Sequence, residues 1–182
     1  MSEISIIDAS PERLKEYTRF LQPCYVGAYV SNELGLTEDC FSTEVFNTPD
    51  TQQYLRSHLV NSEAQKTYLA IANVGDNEQL IGCITVERLD EETGEIKGFY
   101  VAPNLQGTGL GTKLYETALN FLGPRAILLD TYCHNENPIE IYKHWGFELD
   151  TARGEDGYFY RHWPEWPDDL QAKCLYMHKP GS

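Results

Sequence analysis

Three glycines at alternate positions, Gly107, Gly109 and Gly111, stand between an apolar run ending at Tyr100-Val101 and a helical pattern that starts at Leu110. The chemistry such a turn can do is to hold an anion. The first N–H groups of a helix have no internal partner, and the aligned peptide dipoles place partial positive charge at that end. Glycines remove the Cβ atoms that would keep a phosphate from those N–H groups. Spacing narrows the choice of ligand. A dinucleotide fingerprint requires G-x-G-x-x-G, and here the third glycine comes one residue early. A nucleotide P-loop requires G-x-x-x-x-G-K-[ST], whereas Gly111 is followed by Thr112 and only then Lys113. What remains is Gln106-Gly107-Thr108-Gly109-Leu110-Gly111, a Q-x-x-G-x-G run just after Tyr100-Val101-Ala102-Pro103.

A second string lies downstream, from Asn135 through Pro138 and Tyr142 to Gly146-Phe147. The first run resembles the [RQ]-x-x-G-x-[GA] pyrophosphate loop of the GNAT family of N-acetyltransferases, which follows a strand ending in V-x-P. The second resembles that family's N-x-x-A-x-x-x-Y-x-x-x-G-F signature, with Pro138 in place of the usual small residue. The resemblance covers Lys66 to Leu149 well, the N-terminal part loosely, and Arg153 to Gln171 hardly at all.

The resemblance implies acetyl-CoA as cosubstrate and direct transfer to an amine, with no covalent enzyme intermediate and no metal. It implies that the backbone of Phe99, Tyr100 and Val101 takes the pantetheine amides, as an added strand would. The N–H groups of Gln106, Gly107, Thr108, Gly109, Leu110, Gly111 and Thr112 take the diphosphate. Asn135 matches the side-chain contact to the pantetheine, with a local helix-capping role as the alternative. Tyr142 matches the tyrosine that protonates the departing thiolate; the alternative is a core aromatic beside Trp145 and Phe147. Two carboxylates compete for the part of base. Glu95 lies six residues before Val101 and could instead belong to the acidic turn that begins at Asp90. Asp130 lies five residues before Asn135 and could be a polar strand end.

The acceptor is read from composition. Tyr158, Tyr160, His162, Trp163, Glu165, Trp166, Asp168 and Asp169 follow one another closely, and aromatic rings beside carboxylates attract a cationic amine. The expectation is a small-molecule amine acceptor such as a polyamine. These aromatics could equally pack the last hairpin or form a homodimer contact. The other functional readings are a protein or peptide N-terminal acetyltransferase and a non-catalytic acyl-CoA-binding sensor.

The elements that must position these groups follow from periodicity. Leu110, Leu114 and Ala118 form one row of a helix, and Tyr115, Leu119 and Leu122 the next. Glu95 to Val101 and Ala126 to Tyr132 read as parallel strands either side of that helix, a βαβ unit. Ahead of it stand a strand at Ile4 to Asp8 and a helix opened by Ser10 as N-cap and Pro11, which Pro23 should end or bend. A helix from Thr48-Pro49 to His58 or Leu59 precedes a hairpin, Tyr68 to Asn73 and Leu80 to Leu89, turning at Gly75 to Glu78. After it come a helix from Asn137-Pro138 to Gly146, a strand from Phe147 to Thr151, an irregular segment from Gly157 to Asp169 and a strand from Lys173 to His178. The fold class is α/β of the α+β kind, a mixed and mostly antiparallel sheet flanked by about four helices.

With 182 residues, 41% of them hydrophobic, one domain is expected. The net charge of −14 repels nucleic acid and favours a cationic acceptor. No membrane span and no signal peptide are read, so the expected location is cytoplasmic. Cys24, Cys40, Cys83, Cys133 and Cys174 form no C-x-x-C pair, which indicates buried thiols rather than a disulfide framework or zinc site.

Overall fold

In strand β2 (Gln65–Val74) the side chains alternate between two cores. Leu69 and Ile71 enter one hydrophobic cluster, while Ala70 and Ala72 enter a second. A strand apolar on both faces belongs in the middle of a covered sheet. The computed structural model describes residues 4–75 and 77–182, and it builds that sheet from eight strands.

The others are β1 (Ile4–Asp8), β3 (Asn77–Arg88), β4 (Thr93–Val101), β5 (Ala126–Tyr132), β6 (Glu148–Leu149), β7 (Tyr158–Arg161) and β8 (Ala172–Lys179). Their order is β1-β2-β3-β4-β5-β8-β6, with β7 also pairing β8. Every pairing is antiparallel except β4 with β5. The five α-helices are α1 (Leu14–Tyr29), α2 (Thr43–Phe46), α3 (Pro49–His58), α4 (Leu110–Leu122) and α5 (Glu136–His144). Tyr17 and Leu21 of α1, Phe46 of α2 and Leu55 of α3 share the core on one face of the sheet. Leu110, Leu114, Ala118 and Leu122 of α4, with Ile139 and Tyr142 of α5, share the core on the other. The mixed, mostly antiparallel sheet and its βαβ unit are those expected.

Four local expectations are corrected. Helix α1 runs through Pro23 to Tyr29, so of the two expected effects the proline does not end the helix. The missing donor frees the carbonyl of Arg19, an exposed residue where water can serve it, while Tyr17, Leu21 and Cys24 stay buried in one row. Ser10 precedes a 3-10 turn, Pro11–Arg13, and its side chain makes no capping hydrogen bond. The strand expected from Phe147 to Thr151 is only Glu148–Leu149, because Asp150 already opens the turn that Arg153 N–H closes onto its carbonyl. The segment read as irregular begins with a strand, Tyr158–Arg161, laid on Leu175 to Ala172 of β8. The turn expected at Gly75 to Glu78 includes Asp76, which lies outside the described residues.

Candidate active site

The site begins with a fault in the sheet. Against β3, Gly98 pairs with Thr85 and Ile96 with Val86, so Lys97 is an extra residue in β4. A bulge bends and twists its strand. Here it sets Ile96 and Phe99 on the same face, both in the core under α4. On its other side β4 pairs with β5 only from Thr93↔Ala126 to Ile96↔Leu129. Beyond the bulge the two strands part, and the edge of β4 from Lys97 to Val101 has no ladder partner there among the described residues. A cleft of about 710 Å³ occupies the gap.

The glycine turn adjoins that cleft through Gln106, which lines it, while Gly107 to Thr112 are not among the lining residues. Gly107 and Gly109 have φ of 76° and 86°, a left-handed conformation that side chains rarely adopt. A Cβ at either would meet nothing within 4 Å, so the space above the turn is open. Among the described residues, the N–H groups of Gln106, Gly107, Thr108 and Gly109 have no hydrogen-bond acceptor. Gly109 is the N-cap of α4, so the N–H groups of Leu110, Gly111 and Thr112 belong to the unpaired first turn. Leu110 is 3% exposed and offers a ligand its backbone only. Thr108 turns its hydroxyl back to the carbonyl of Leu105 at 2.7 Å. The side chain of Gln106 donates to the Val101 carbonyl at 3.4 Å. Bare N–H groups beneath open space fit a diphosphate.

The other sequence-selected residues converge on the same cleft. Glu95, Phe99, Tyr100, Val101, Gln106, Asp130, Asn135 and Tyr142 all line it. Tyr100 stacks on Tyr25 at 5.0 Å and its hydroxyl lies 3.1 Å from that of Tyr29, both of which also line the cleft. Asn135 makes no capping bond to α5, which corrects the alternative capping role. Its amide reaches only the Thr131 hydroxyl, at 3.5 Å. Tyr142 sits beside Trp145 and Phe147, yet its hydroxyl has no hydrogen-bond partner among the described residues. Burial, and secondarily the charge of Asp130, push its ionisation above the usual tyrosine range, so the hydroxyl stays protonated and able to donate.

Glu95 and Asp130 are on the opposite face of the sheet from α4. Burial first, then the negative charge of Asp130, raise the pKa of Glu95 above the ordinary glutamate value. Among the described residues Glu95 has no ion-pair partner, whereas Asp130 accepts from Arg161 Nη2 at 2.5 Å. Lys97, the bulged residue, pairs with Glu87 at 3.0 Å. Sequence reasoning missed Arg161; the run of aromatic residues leading to it, Tyr158 to Tyr160, is the kind of composition that favours a strand.

The remaining wall is aromatic. Tyr25, Tyr29, Phe46, Tyr54, Tyr132 and Trp163 line the cleft with Asp50 and Glu165. The segment after β7 straps across the helices: Trp166 Nε1 donates to the Cys40 carbonyl at 3.1 Å, and Glu165 accepts from the Thr48 hydroxyl at 3.0 Å. His134 Nε2 meets the Tyr29 carbonyl at 3.0 Å. All five cysteines are free and all but Cys133 are buried; burial also raises the pKa of Cys133, which disfavours a thiolate there. Among the described residues, no cluster of His, Cys, Asp or Glu could hold a metal ion, and no helix is long and apolar enough to cross a membrane.

A mixed sheet parted between two parallel strands, with a turn of unpaired N–H groups beside the gap and a carboxylate and a phenol along it, is the frame of an acyltransferase fold. The chain belongs to the GNAT family of acetyltransferases, whose family model matches residues 31–147. No curated protein matches the sequence. Among solved structures, it is similar to the ribosomal-protein-S18-alanine N-acetyltransferase of Escherichia coli, with TM-score 0.66 and 15% identity over 99% of this chain and 95% of that one. A GNAT-family acetyltransferase of Staphylococcus aureus Mu50 gives TM-score 0.64 and 16% identity, covering 98% and 99% of the two chains. The PaiA N-acetyltransferase of Thermoplasma acidophilum, solved with coenzyme A, gives 0.62 and 18% over 98% and 99%.

Proposed function

We propose that this N-acetyltransferase carries an acetyl group from acetyl-CoA directly to the primary amine of a small cationic acceptor, of the kind polyamines exemplify. The observation that carries the reading is the unclosed edge of β4, which leads from the bare N–H groups of Gln106 to Thr112 to a cleft shared by Tyr142 and Glu95. The turn holds the diphosphate, the free groups of Phe99 to Val101 pair with the pantetheine amides, and Asn135 adds a side-chain contact. Acetyl-CoA supplies the activated acyl group, whose carbon bonds to the amine nitrogen as the carbon–sulfur bond breaks.

Glu95 removes the proton that the ammonium must lose, directly or through one water. Its pKa, raised by burial and by the charge of Asp130, makes it a stronger proton acceptor than an ordinary glutamate. Tyr142 Oη donates a proton to the departing sulfur. The cationic preference rests on charge. Of the acidic residues lining the cleft, Asp50, Glu95 and Glu165 have no ion-pair partner among the described residues, while the lining cations Lys97 and Arg161 are each paired. An ammonium ion is thereby attracted by carboxylates and by ring faces alike.

The test is thiol release from acetyl-CoA with a panel of amines. Turnover with cationic amines and not with neutral-bodied ones is expected. Binding of acetyl-CoA with no thiol released by any amine would leave a sensor module in place of an enzyme.

A further inference from the structure

Arg161 is used only in part by the contacts that hold it. Its guanidinium lies 5.2 Å from the centre of the Tyr132 ring and 5.3 Å from that of Phe159, and Nη2 donates to Asp130. Nε and Nη1 have no acceptor among the described residues, and neither is sealed from solvent. They open into the cleft that Arg161 lines. Beside them Tyr132, 2% exposed, lines the same cleft with a buried hydroxyl that finds no hydrogen-bond partner. A buried hydroxyl without a partner is costly and calls for an explanation. Donors of Arg161 and Tyr132 thus lie along one cleft, and among the described residues no protein acceptor engages Nε, Nη1 or the hydroxyl.

We infer that the acceptor carries a carboxylate as well as its amine, and that Arg161 and Tyr132 hold that carboxylate while Glu95 receives the amine. A guanidinium offers paired donors in a plane that matches a carboxylate, and the hydroxyl adds a third. The register makes the span short. Glu95 faces Leu128 across the parallel pair, and Asp130, which anchors Arg161, is two residues further along β5. That offset is about 7 Å along a strand, within reach of one small molecule. A diamine has no lone-pair oxygen to offer, so it would leave Nε, Nη1 and the Tyr132 hydroxyl facing a cation unsatisfied. An amine of the basic amino-acid type satisfies both the unpaired carboxylates and these donors.

This inference rests on the acetyl-transfer reading and moves its acceptor from the polyamine type to an amine that also bears a carboxylate. The experiment compares matched pairs that differ only by the carboxylate: lysine with cadaverine, ornithine with putrescine, alanine with ethylamine. In the wild-type protein, kcat/KM is expected to favour the carboxylate-bearing member by about tenfold or more, the size of a charge-assisted contact. In Arg161→Met that preference should vanish. Tyr132→Phe removes an unpartnered hydroxyl and keeps the ring, so it folds even where the arginine variant does not, and it should reduce the preference too. Equal kcat/KM within every pair, turnover only of the amines lacking a carboxylate, or a preference that survives both substitutions would each overturn the inference and leave acetyl transfer standing. Failure of every amine to release thiol would instead remove the transfer reading itself.

Discussion

Arg161 Nη2 donates to Asp130 Oδ1 at 2.5 Å, and that ion pair separates the roles of two carboxylates on neighbouring strands. Asp130 is committed to a guanidinium, while Glu95, two residues away in register, is left without a counter-ion among the described residues. A base must be free of such a partner to take a proton from an amine. Asp130 acts instead on Glu95 at a distance, as the second cause, after burial, of its raised pKa.

Glu95→Gln should therefore lower kcat by about 10²-fold or more, the usual share of a general base. In the wild-type protein kcat/KM rises with pH as Glu95 loses its proton, on a limb set above the ordinary glutamate range. Asp130→Asn removes a charge that raises this pKa, so its limb should move to lower pH while most of the rate survives. A pH profile of the three proteins decides; a limb unmoved in Asp130→Asn counts against the coupling.

Tyr142→Phe should bind acetyl-CoA as the wild type does and lose about 10²-fold in turnover, because the ring that packs on Phe147 is kept and only the hydroxyl goes. Calorimetric titration alongside thiol release separates the two effects. Unchanged turnover would return Tyr142 to a purely packing role.

Gly109→Ala places a Cβ on a residue at φ 86°, at a cost of about 1–2 kcal/mol. The loop should escape the strain by shifting, and the dissociation constant for acetyl-CoA should rise by roughly tenfold. Gly111→Ala is the control. Its Cβ would stand 3.6 Å from the Phe99 ring, an ordinary contact at a helical position, and affinity should change far less.

Trp166→Ala should cost about 3–5 kcal/mol, since the indole is 3% exposed, stacks on Trp163 at 5.6 Å and donates to the Cys40 carbonyl. The thermal midpoint should fall by several degrees or more. A midpoint within a degree of the wild type would show that the strap contributes nothing to holding the helices.

Much of this was legible in the sequence because the decisive signals are local. The φ values of Gly107 and Gly109, and the period of Leu110, Leu114 and Ala118, are properties of neighbouring residues. So is the short run of Ala126 to Tyr132 that pairs parallel with β4. The rest depends on distant partners. Strand β7 was hidden because Tyr158–Arg161 is four residues long and owes its extended state to β8. The bulge at Lys97 leaves no local mark; it exists only against Thr85 and Val86. Nor could spacing tell which of Glu95 and Asp130 is free, since the partner that decides it lies 31 residues beyond Asp130. Pro23 misled because a proline's lost bond is cheap where the carbonyl it abandons faces water.

The parting of β4 from β5 reaches past catalysis. Among the described residues the backbone ladder from β1–β4 to β5–β8 runs only from Thr93 to Ile96, and past it the two halves of the sheet are joined by side-chain packing in the two cores. A cosubstrate lodged in the gap would act as the missing stitching, adding about 2.7 kcal/mol of cohesion at a hundredfold excess over its dissociation constant. The protein's resistance to unfolding would then rise with the concentration of the coenzyme, acylated or free.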